Sequence, residues 1–312
     1  MYNTMTTHLN QLARKILYLR IAQMMVNENY KEKKFKIPIH LAFGHETIAV
    51  AVSEIMDEDD KLILTHRNIA YNLARLGHLR NIMDEYFLKE TGLNIGKSGS
   101  MNLINPSKGV VYTSSILGNN FSVGVGVAMS QKIKQKNGIT IVLGGDGSIE
   151  EGSFHESILM FKSLNLGGLL IIENNEWSMS TKISERRIQI DLEKFVNSYG
   201  VKYVKLTGNN PQSYVDELRK IKEISLKQNE LICIEVMVST LGDWIMTNDD
   251  NPNGKFINYH AGPAPTINIK TCPALIRENN SDPIFVLAEM LGVSELNKIS
   301  DEVRNELVEE MK

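Results

Sequence analysis

The chain has 312 residues, 42% hydrophobic and 23% charged, with a net charge of −3. That is ordinary globular composition, with length for one large domain or two small ones. It has no long basic block and no apolar run of about 18 residues, so neither a nucleic-acid partner nor a membrane span is expected. Its two cysteines, Cys233 and Cys272, lack metal-ligand spacing, and Cys233 inside LICIEVMV reads as a small core residue. The start, MYNTMTTHLNQLARKIL, lacks a signal-peptide core, so a cytoplasmic setting is expected.

Leu9, Leu12, Ile16, Leu19 and Met24 recur at near-helical spacing and predict an amphipathic helix over 8–29. A charged break at Lys31 to Lys36 precedes a second helix over 45–56. Ile63 and Leu64 lead into THRN, and a helix is predicted over 69–91. Residues 92–120 are rich in Gly, Ser and Asn, and a loop that long inside a compact domain is usually functional. A helix resumes at SVGVGVAMSQKIK. Strands are then predicted over 139–145, 169–175, 201–206 and 231–238, with helices over 151–163, 191–199 and 211–228. Apolar strands alternating with helices predict an α/β fold, a doubly wound parallel sheet with helices on both faces. Residues 242–268 are polar and turn-rich, an expected site loop or linker, and a helical tail follows.

In open parallel sheets, ligands bind beyond the carboxyl ends of the strands. Asp146 and Asn175 sit at two such ends, one strand–helix–strand unit apart. Two oxygen donors there suit a hard cation such as Mg²⁺. Gly144, Gly145 and Gly147 allow a backbone to approach a bulky anion, and a helix starting near Glu151 would aim free N–H groups at phosphate. Taken singly, Asp146 could cap a helix and Asn175 could close a turn; the pair together with the glycines favours the metal.

The segment GGDGSIEEGSFHESILMFKSLNLGGLLIIENNEW resembles the GDG…NN motif of thiamine-diphosphate enzymes. The resemblance assigns Mg²⁺ to Asp146, Asn175 and the backbone carbonyl of Trp177, and diphosphate contacts to Gly145, Gly147 and Ser148. IHLAFGHETIAVAV, LTHRNIAYNLARLG, GKSGSMNL and SILGNNFSVGVGVAM further resemble segments of the alpha subunits of 2-oxoacid dehydrogenases of the pyruvate, branched-chain and acetoin types. These cover roughly residues 36–182. By this resemblance His40 faces substrate and the reactive carbon, His66 and Arg67 contact diphosphate and substrate, and Ser115 and Leu117 line the aminopyrimidine. Each also has a plainer alternative, a structural histidine for His40 and a surface ion pair for Arg67. Glu46 follows the family pattern and reads as structural, whereas the preceding family glutamine is His45 here.

Two family histidines are missing. The loop SMH reads SMN, with Asn102, and a later loop RxxGHS reads STLGDW, with Asp243 at the histidine position. NPNGKFINYHAGPAP resembles a segment of the transketolase amino-terminal half, which makes His260 a substitute active-site histidine, against the alternative of a surface-loop residue. Whether His260 or Asp243 replaces the missing group is open at this stage.

The resemblance implies a diphosphate-binding domain over 1–240, with 241–312 as an active-site loop and helical tail of the same domain. It implies thiamine diphosphate and Mg²⁺ as cofactors, and decarboxylation of a pyruvate-like 2-oxoacid with transfer of the acyl unit, under the dehydrogenase reading to a lipoyl acyltransferase. The activating glutamate of such enzymes comes from a pyrimidine-binding domain. Too few residues follow position 240 for another α/β domain, so a partner chain, in a heterotetramer, is expected to supply it. The alternatives are a transketolase-like two-carbon transferase acting on a sugar or aldehyde, and a non-catalytic regulatory subunit.

Overall fold

The computed structural model describes residues 2–312, with side chains from Thr7 onward. Helix α1 (Tyr2–Lys31) leads to α2 (Glu46–Ile55), strand β1 (Lys61–Thr65), and helices α3 (Ile69–Leu76) and α4 (Arg80–Tyr86). The single helix expected over 69–91 is thus two. Gly77 caps α3 in the left-handed region, at φ 73°, and its N–H closes on the Leu73 carbonyl. The loop expected over 92–120 contains a further strand, β2 (Val110–Ser114), before α5 (Asn119–Ile133).

The alternating region follows: β3 (Thr140–Gly145), α6 (Gly152–Ser163), β4 (Gly168–Asn174), a small hairpin β5 (Trp177–Ser178) and β6 (Thr181–Lys182), the single turn α7 (Ile183–Arg186), α8 (Leu192–Asn197), β7 (Lys202–Leu206), α9 (Pro211–Gln228) and β8 (Leu231–Met237). The stretch expected as loop after 242 is instead an antiparallel hairpin, β9 (Trp244–Asn248) with β10 (Asn251–Ile257). Helices α10 (Pro283–Leu291) and α11 (Val293–Glu310) close the chain. None of the described helices is long and apolar enough to cross a membrane.

Six strands form one parallel sheet in the order β2-β1-β3-β4-β8-β7. Alternate residues of its central strands feed two cores. Ile141, Leu143, Leu169, Ile171, Ile232 and Ile234 face one side, packed with residues of α1, α2 and α9. Val142, Leu170, Ile172 and Cys233 face the other, against residues of α5, α6 and α8. Burial on both faces is why these strands read as continuous apolar runs. The edge strand β7 carries Lys202 and Lys205, which discourage further strand pairing. From β1 the chain goes to β2 on one side and then to β3 on the other, so the strand order reverses beside β1. A crevice at such a reversal, outside the carboxyl ends, is where this architecture places its ligands.

One buried ion cluster ties the chain's beginning to its end. Arg20 on α1 pairs with Glu46 at the start of α2 at 2.5 Å and with Asp282, the N-cap of α10, at 2.9 Å, and all three side chains are fully buried. Glu46 also accepts the Gly44 N–H at 2.7 Å. One cation serves two carboxylates, helped by the backbone N–H groups of Gly44 and Ile284, and removing it leaves both carboxylates in low dielectric without a cation. Arg20→Met is therefore expected to lower the unfolding free energy by about 3–5 kcal/mol. Equilibrium denaturation in urea checks this, and a loss below about 1 kcal/mol would show that the cluster is not the clamp described.

Candidate active site

The carboxyl ends of four adjacent strands surround one cleft of about 260 Å³. β1 contributes Thr65, His66 and Arg67; β2 contributes Ser114 to Leu117; β3 contributes Gly145 to Ser148; β4 contributes Glu173, Asn175 and Trp177. His40 enters from the segment before α2, and His260 from the segment after β10. All twelve residues singled out in the sequence line this cleft: His40, His66, His260, Arg67, Ser115, Leu117, Gly145, Asp146, Gly147, Ser148, Asn175 and Trp177.

Asp146 and Asn175, the expected metal pair, sit at neighbouring strand ends, since β3 and β4 pair directly. Asp146 is 2% exposed, and its own N–H donates to the Glu173 carbonyl. Burial raises its pKa, while Arg186 and the Asn175 backbone N–H, which stabilise the carboxylate, act against that rise. Arg186 reaches it from α7, with Nη2 2.5 Å from Asp146 Oδ2, and also pairs with Glu150. This arginine was not singled out in the sequence, because only the return of the chain after the β5–β6 hairpin brings it there. The carboxylate is therefore already paired with a cation, as a buried carboxylate should be. With the Asn175 amide beside it, the donor set is oxygen-rich and fits Mg²⁺.

The Ser148 hydroxyl closes the turn after β3, donating to the Gly145 carbonyl at 2.7 Å and accepting the Gly145 N–H at 2.9 Å, which leaves its backbone at the cleft wall. One expectation for this rim needs correction: the first turn of α6 does not line the cleft, because a short 3₁₀ turn, Ser148–Glu150, intervenes. The start of α5 is there instead, with Gly118 and Asn120 at the wall. Gly118 has φ 76°, and a Cβ on it would lie 2.5 Å from Ser153 Oγ, so a glycine lets α5 and α6 meet at this point.

The opposite wall is a histidine cluster. The rings of His40 and His66 are 4.8 Å apart, those of His40 and His260 5.2 Å, and those of His66 and His260 5.7 Å. Beneath them Arg67 is buried over the Tyr259 ring, donating to the carbonyls of Leu41 and His260. Among the described residues no carboxylate forms an ion pair with it, and burial lowers its pKa, opposed by Tyr259 and Glu173. Two of its N–H groups are thus committed to protein carbonyls, although its charge still faces the cleft. Burial first, and the Arg67 charge next, lower His40 to about 3, His66 to about 2 and His260 to about 4. One ring nitrogen from each histidine lies within 4.8 Å of the others. The adjacent guanidinium opposes a second divalent cation there. The cluster is better suited to act as neutral hydrogen-bonding groups.

The two candidates for the missing family histidine lie in different places. Asp243 is paired with Arg277 and does not line the cleft, whereas His260 does. Asn102 is exposed and also lies outside the lining, which its neighbour Met101 joins. His45 and Glu173 line the cleft too, and their part in it was not foreseen. The substitution of histidine for the family glutamine was the one available signal.

Lowered histidine pKa values mean that the folded chain holds fewer protons than the unfolded one from the ordinary histidine value near 6.5 down to about 4 for His260, 3 for His40 and 2 for His66. The stability they allow is complete above about 6.5 and is lost as pH falls through that window. Imidazole NMR shifts are expected to show none of His40, His66 and His260 titrating above about pH 5. Arg67→Gln should raise all three; unchanged values would remove Arg67 as a cause.

Comparison with known proteins follows this geometry. The family described as dehydrogenase E1 component matches residues 14–251, more than half of the chain. The mitochondrial pyruvate dehydrogenase E1 component subunit alpha of Chaetomium thermophilum is 32% identical over 186 residues, 60% of this chain and 45% of that protein. The alpha subunit of the acetoin:2,6-dichlorophenolindophenol oxidoreductase of Bacillus subtilis is 32% identical over 167 residues, 54% of this chain and 50% of that protein. The matches thus span about half the length of these relatives. A solved transketolase mutant from Pichia stipitis, in complex with xylulose 5-phosphate, superposes with a TM-score of 0.61 over 96% of this chain and 46% of its own, at 18% identity, a likeness of fold. The match over most of the chain, on a parallel sheet whose strand ends gather the motif residues, establishes that the chain belongs to the dehydrogenase E1 component family.

Proposed function

We propose that this chain is the alpha subunit of a two-chain, thiamine-diphosphate-dependent enzyme that decarboxylates a pyruvate-like 2-oxoacid and passes on the acyl unit. The observation that carries this is the meeting of Asp146 and Asn175, at the ends of paired strands, with three neutral histidines and a buried arginine around one cleft. Asp146, Asn175 and the Trp177 carbonyl would hold Mg²⁺, and the backbone of Gly145 to Ser148 would follow the diphosphate. Bound there, thiamine diphosphate supplies the electron sink for cleaving a bond beside a carbonyl.

The chain's own residues do the rest. The Arg67 charge makes the cleft favourable to anions, both diphosphate and a 2-oxoacid carboxylate. His40, His66 and His260, kept neutral, can donate a hydrogen bond to a developing oxyanion or relay a proton without adding charge beside Arg67. Arg186 would have to yield Asp146 to such a metal, and its guanidinium would then be available to the diphosphate.

A partner chain is part of the proposal. Ser115 and Leu117 would meet the aminopyrimidine, on a lip where Ile116 and Leu117 are 67% and 45% exposed. Helices α5 and α6 also expose Met129, Ile133, Leu159 and Met160. Exposed apolar side chains at the mouth and on two neighbouring helices suit cover by a second subunit. That subunit would bring the pyrimidine-binding domain and its activating glutamate, in a heterotetramer, with a lipoyl acyltransferase as the acyl acceptor. A second reading, two-carbon transfer to an aldehyde or sugar, draws on the position of His260 in the cleft.

Calorimetric titration with thiamine diphosphate is expected to show binding that needs Mg²⁺. Asp146→Asn should weaken it at least about 100-fold, or about 2.7 kcal/mol. Binding independent of both Mg²⁺ and Asp146 would overturn the reading. The chain alone should turn over neither a 2-oxoacid nor a ketose; with its partner, the product formed from pyruvate separates the two reactions.

A further inference from the structure

Behind the metal-binding pair runs a chain of polar contacts that the proposed chemistry does not use. Glu173 Oε1 accepts from the Tyr71 hydroxyl at 2.8 Å and lies 3.0 Å from His45 Nδ1. His45 Nε2 lies 2.9 Å from Thr240 Oγ1, and Asn175 Nδ2 lies 2.7 Å from the same hydroxyl. Asn175 Oδ1 accepts the Trp177 backbone N–H at 3.0 Å. Tyr71, Glu173, His45 and Thr240 are all buried.

The direction of every link follows from the two ends. A peptide N–H can only donate, so the Asn175 atom facing Trp177 is the amide oxygen and the atom facing Thr240 is the amide nitrogen. At the other end a carboxylate only accepts, so the ring's own proton sits on His45 Nδ1 and is donated to Glu173. Nε2 is then the acceptor, and Thr240, which accepts from the Asn175 nitrogen, gives its proton to it. The backbone holds the two segments together. Leu241 N–H donates to the Phe43 carbonyl at 2.9 Å. Gly44, at φ 90°, passes so close to the Ser239 carbonyl oxygen that a Cβ would lie 1.9 Å from it.

We propose that His45 is a positioning residue that sets the orientation of the Asn175 amide. Through Thr240 it keeps the amide nitrogen turned inward and the oxygen on the side of the 175–177 turn, where a metal ligand needs it. The inference rests on the reading of Asp146 and Asn175 as the Mg²⁺ pair. Without the ring, the Thr240 proton has no acceptor unless the Asn175 amide turns over, and that sets its NH₂ against the Trp177 N–H, donor against donor. A glutamine at position 45 carries one donor and one acceptor and can repeat both contacts. A leucine can repeat neither.

The test titrates Mn²⁺ into the full chain in the presence of thiamine diphosphate, with free Mn²⁺ read by electron paramagnetic resonance. His45→Gln is expected to bind within about threefold of the unsubstituted chain, and His45→Leu about 10- to 100-fold more weakly. Thr240→Val, which removes one hydroxyl and keeps the branched shape, should weaken binding similarly and serves if His45→Leu does not fold. The double variant should be no weaker than His45→Leu alone, because both changes break one chain. Unsubstituted affinity in His45→Leu and Thr240→Val would overturn the proposal. So would a loss in His45→Gln as large as in His45→Leu, which would mean that ring packing matters and hydrogen bonding does not. Failure of the unsubstituted chain to bind Mn²⁺ with thiamine diphosphate would instead overturn the functional reading beneath it.

Discussion

The reversal of strand order beside β1 is the constraint on which the rest of this molecule depends. A parallel sheet puts every carboxyl end on one edge, and the reversal opens a crevice where the covering connections diverge to opposite sides. Residues far apart in sequence then share one wall because they end neighbouring strands. His66 and Arg67 follow β1, Ser115 follows β2, Asp146 follows β3 and Asn175 follows β4. Nothing in their local sequence brings them together; the ladder does. The Arg20–Glu46–Asp282 cluster serves the same end by fixing α2, and with it the turn carrying Gly44 and His45, against the rest of the fold.

Within the cleft, two buried charges of opposite sign divide the chemistry. Asp146 is a carboxylate that must be given a cation, and Arg186 fills that need at 2.5 Å. Arg67 is a cation among carbonyls and histidine rings, and among the described residues no carboxylate is paired with it. A buried arginine in that state holds its charge only because carbonyl dipoles and the Tyr259 ring surround it. Burial first, and the Arg67 field second, keep the histidines neutral. One end of the cleft is thus disposed to take a metal and the other to take an anion, which is the polarity a metal-bound diphosphate and an acidic substrate require.

Much of this was legible in the sequence where chemistry and spacing coincide. GGDGS and ENNEW end two apolar runs one strand–helix–strand unit apart, and both runs are paired strands. The doubly wound class followed from the same alternation, and the family from motifs spread between roughly 36 and 182. The rest depended on tertiary partners. VVYTS is a short strand behind a glycine- and serine-rich stretch, and only its pairing with β1 marks it as β2. The β9–β10 hairpin turns through NDDN, where the polar signal of a loop and that of a tight turn are the same. Ser148 has the residue type of a phosphate ligand, but its hydroxyl closes its own turn. Arg186 lies 40 residues beyond Asp146, the carboxylate it neutralises, with no pattern linking them.

The departures from the family pattern compensate one another physically. Asp243, in place of a histidine, would bring a negative charge toward a diphosphate, but it is drawn outward by Arg277. The next segment brings an imidazole into the cleft, His260, packed edge-on to His40. His45, in place of a glutamine, keeps one donor and one acceptor on the same two sides, so the buried line from Glu173 to Asn175 is not broken. With Asp243 out of the lining and His260 in it, the cleft has Asp146 and Asn175 at one end and three histidines with Arg67 at the other.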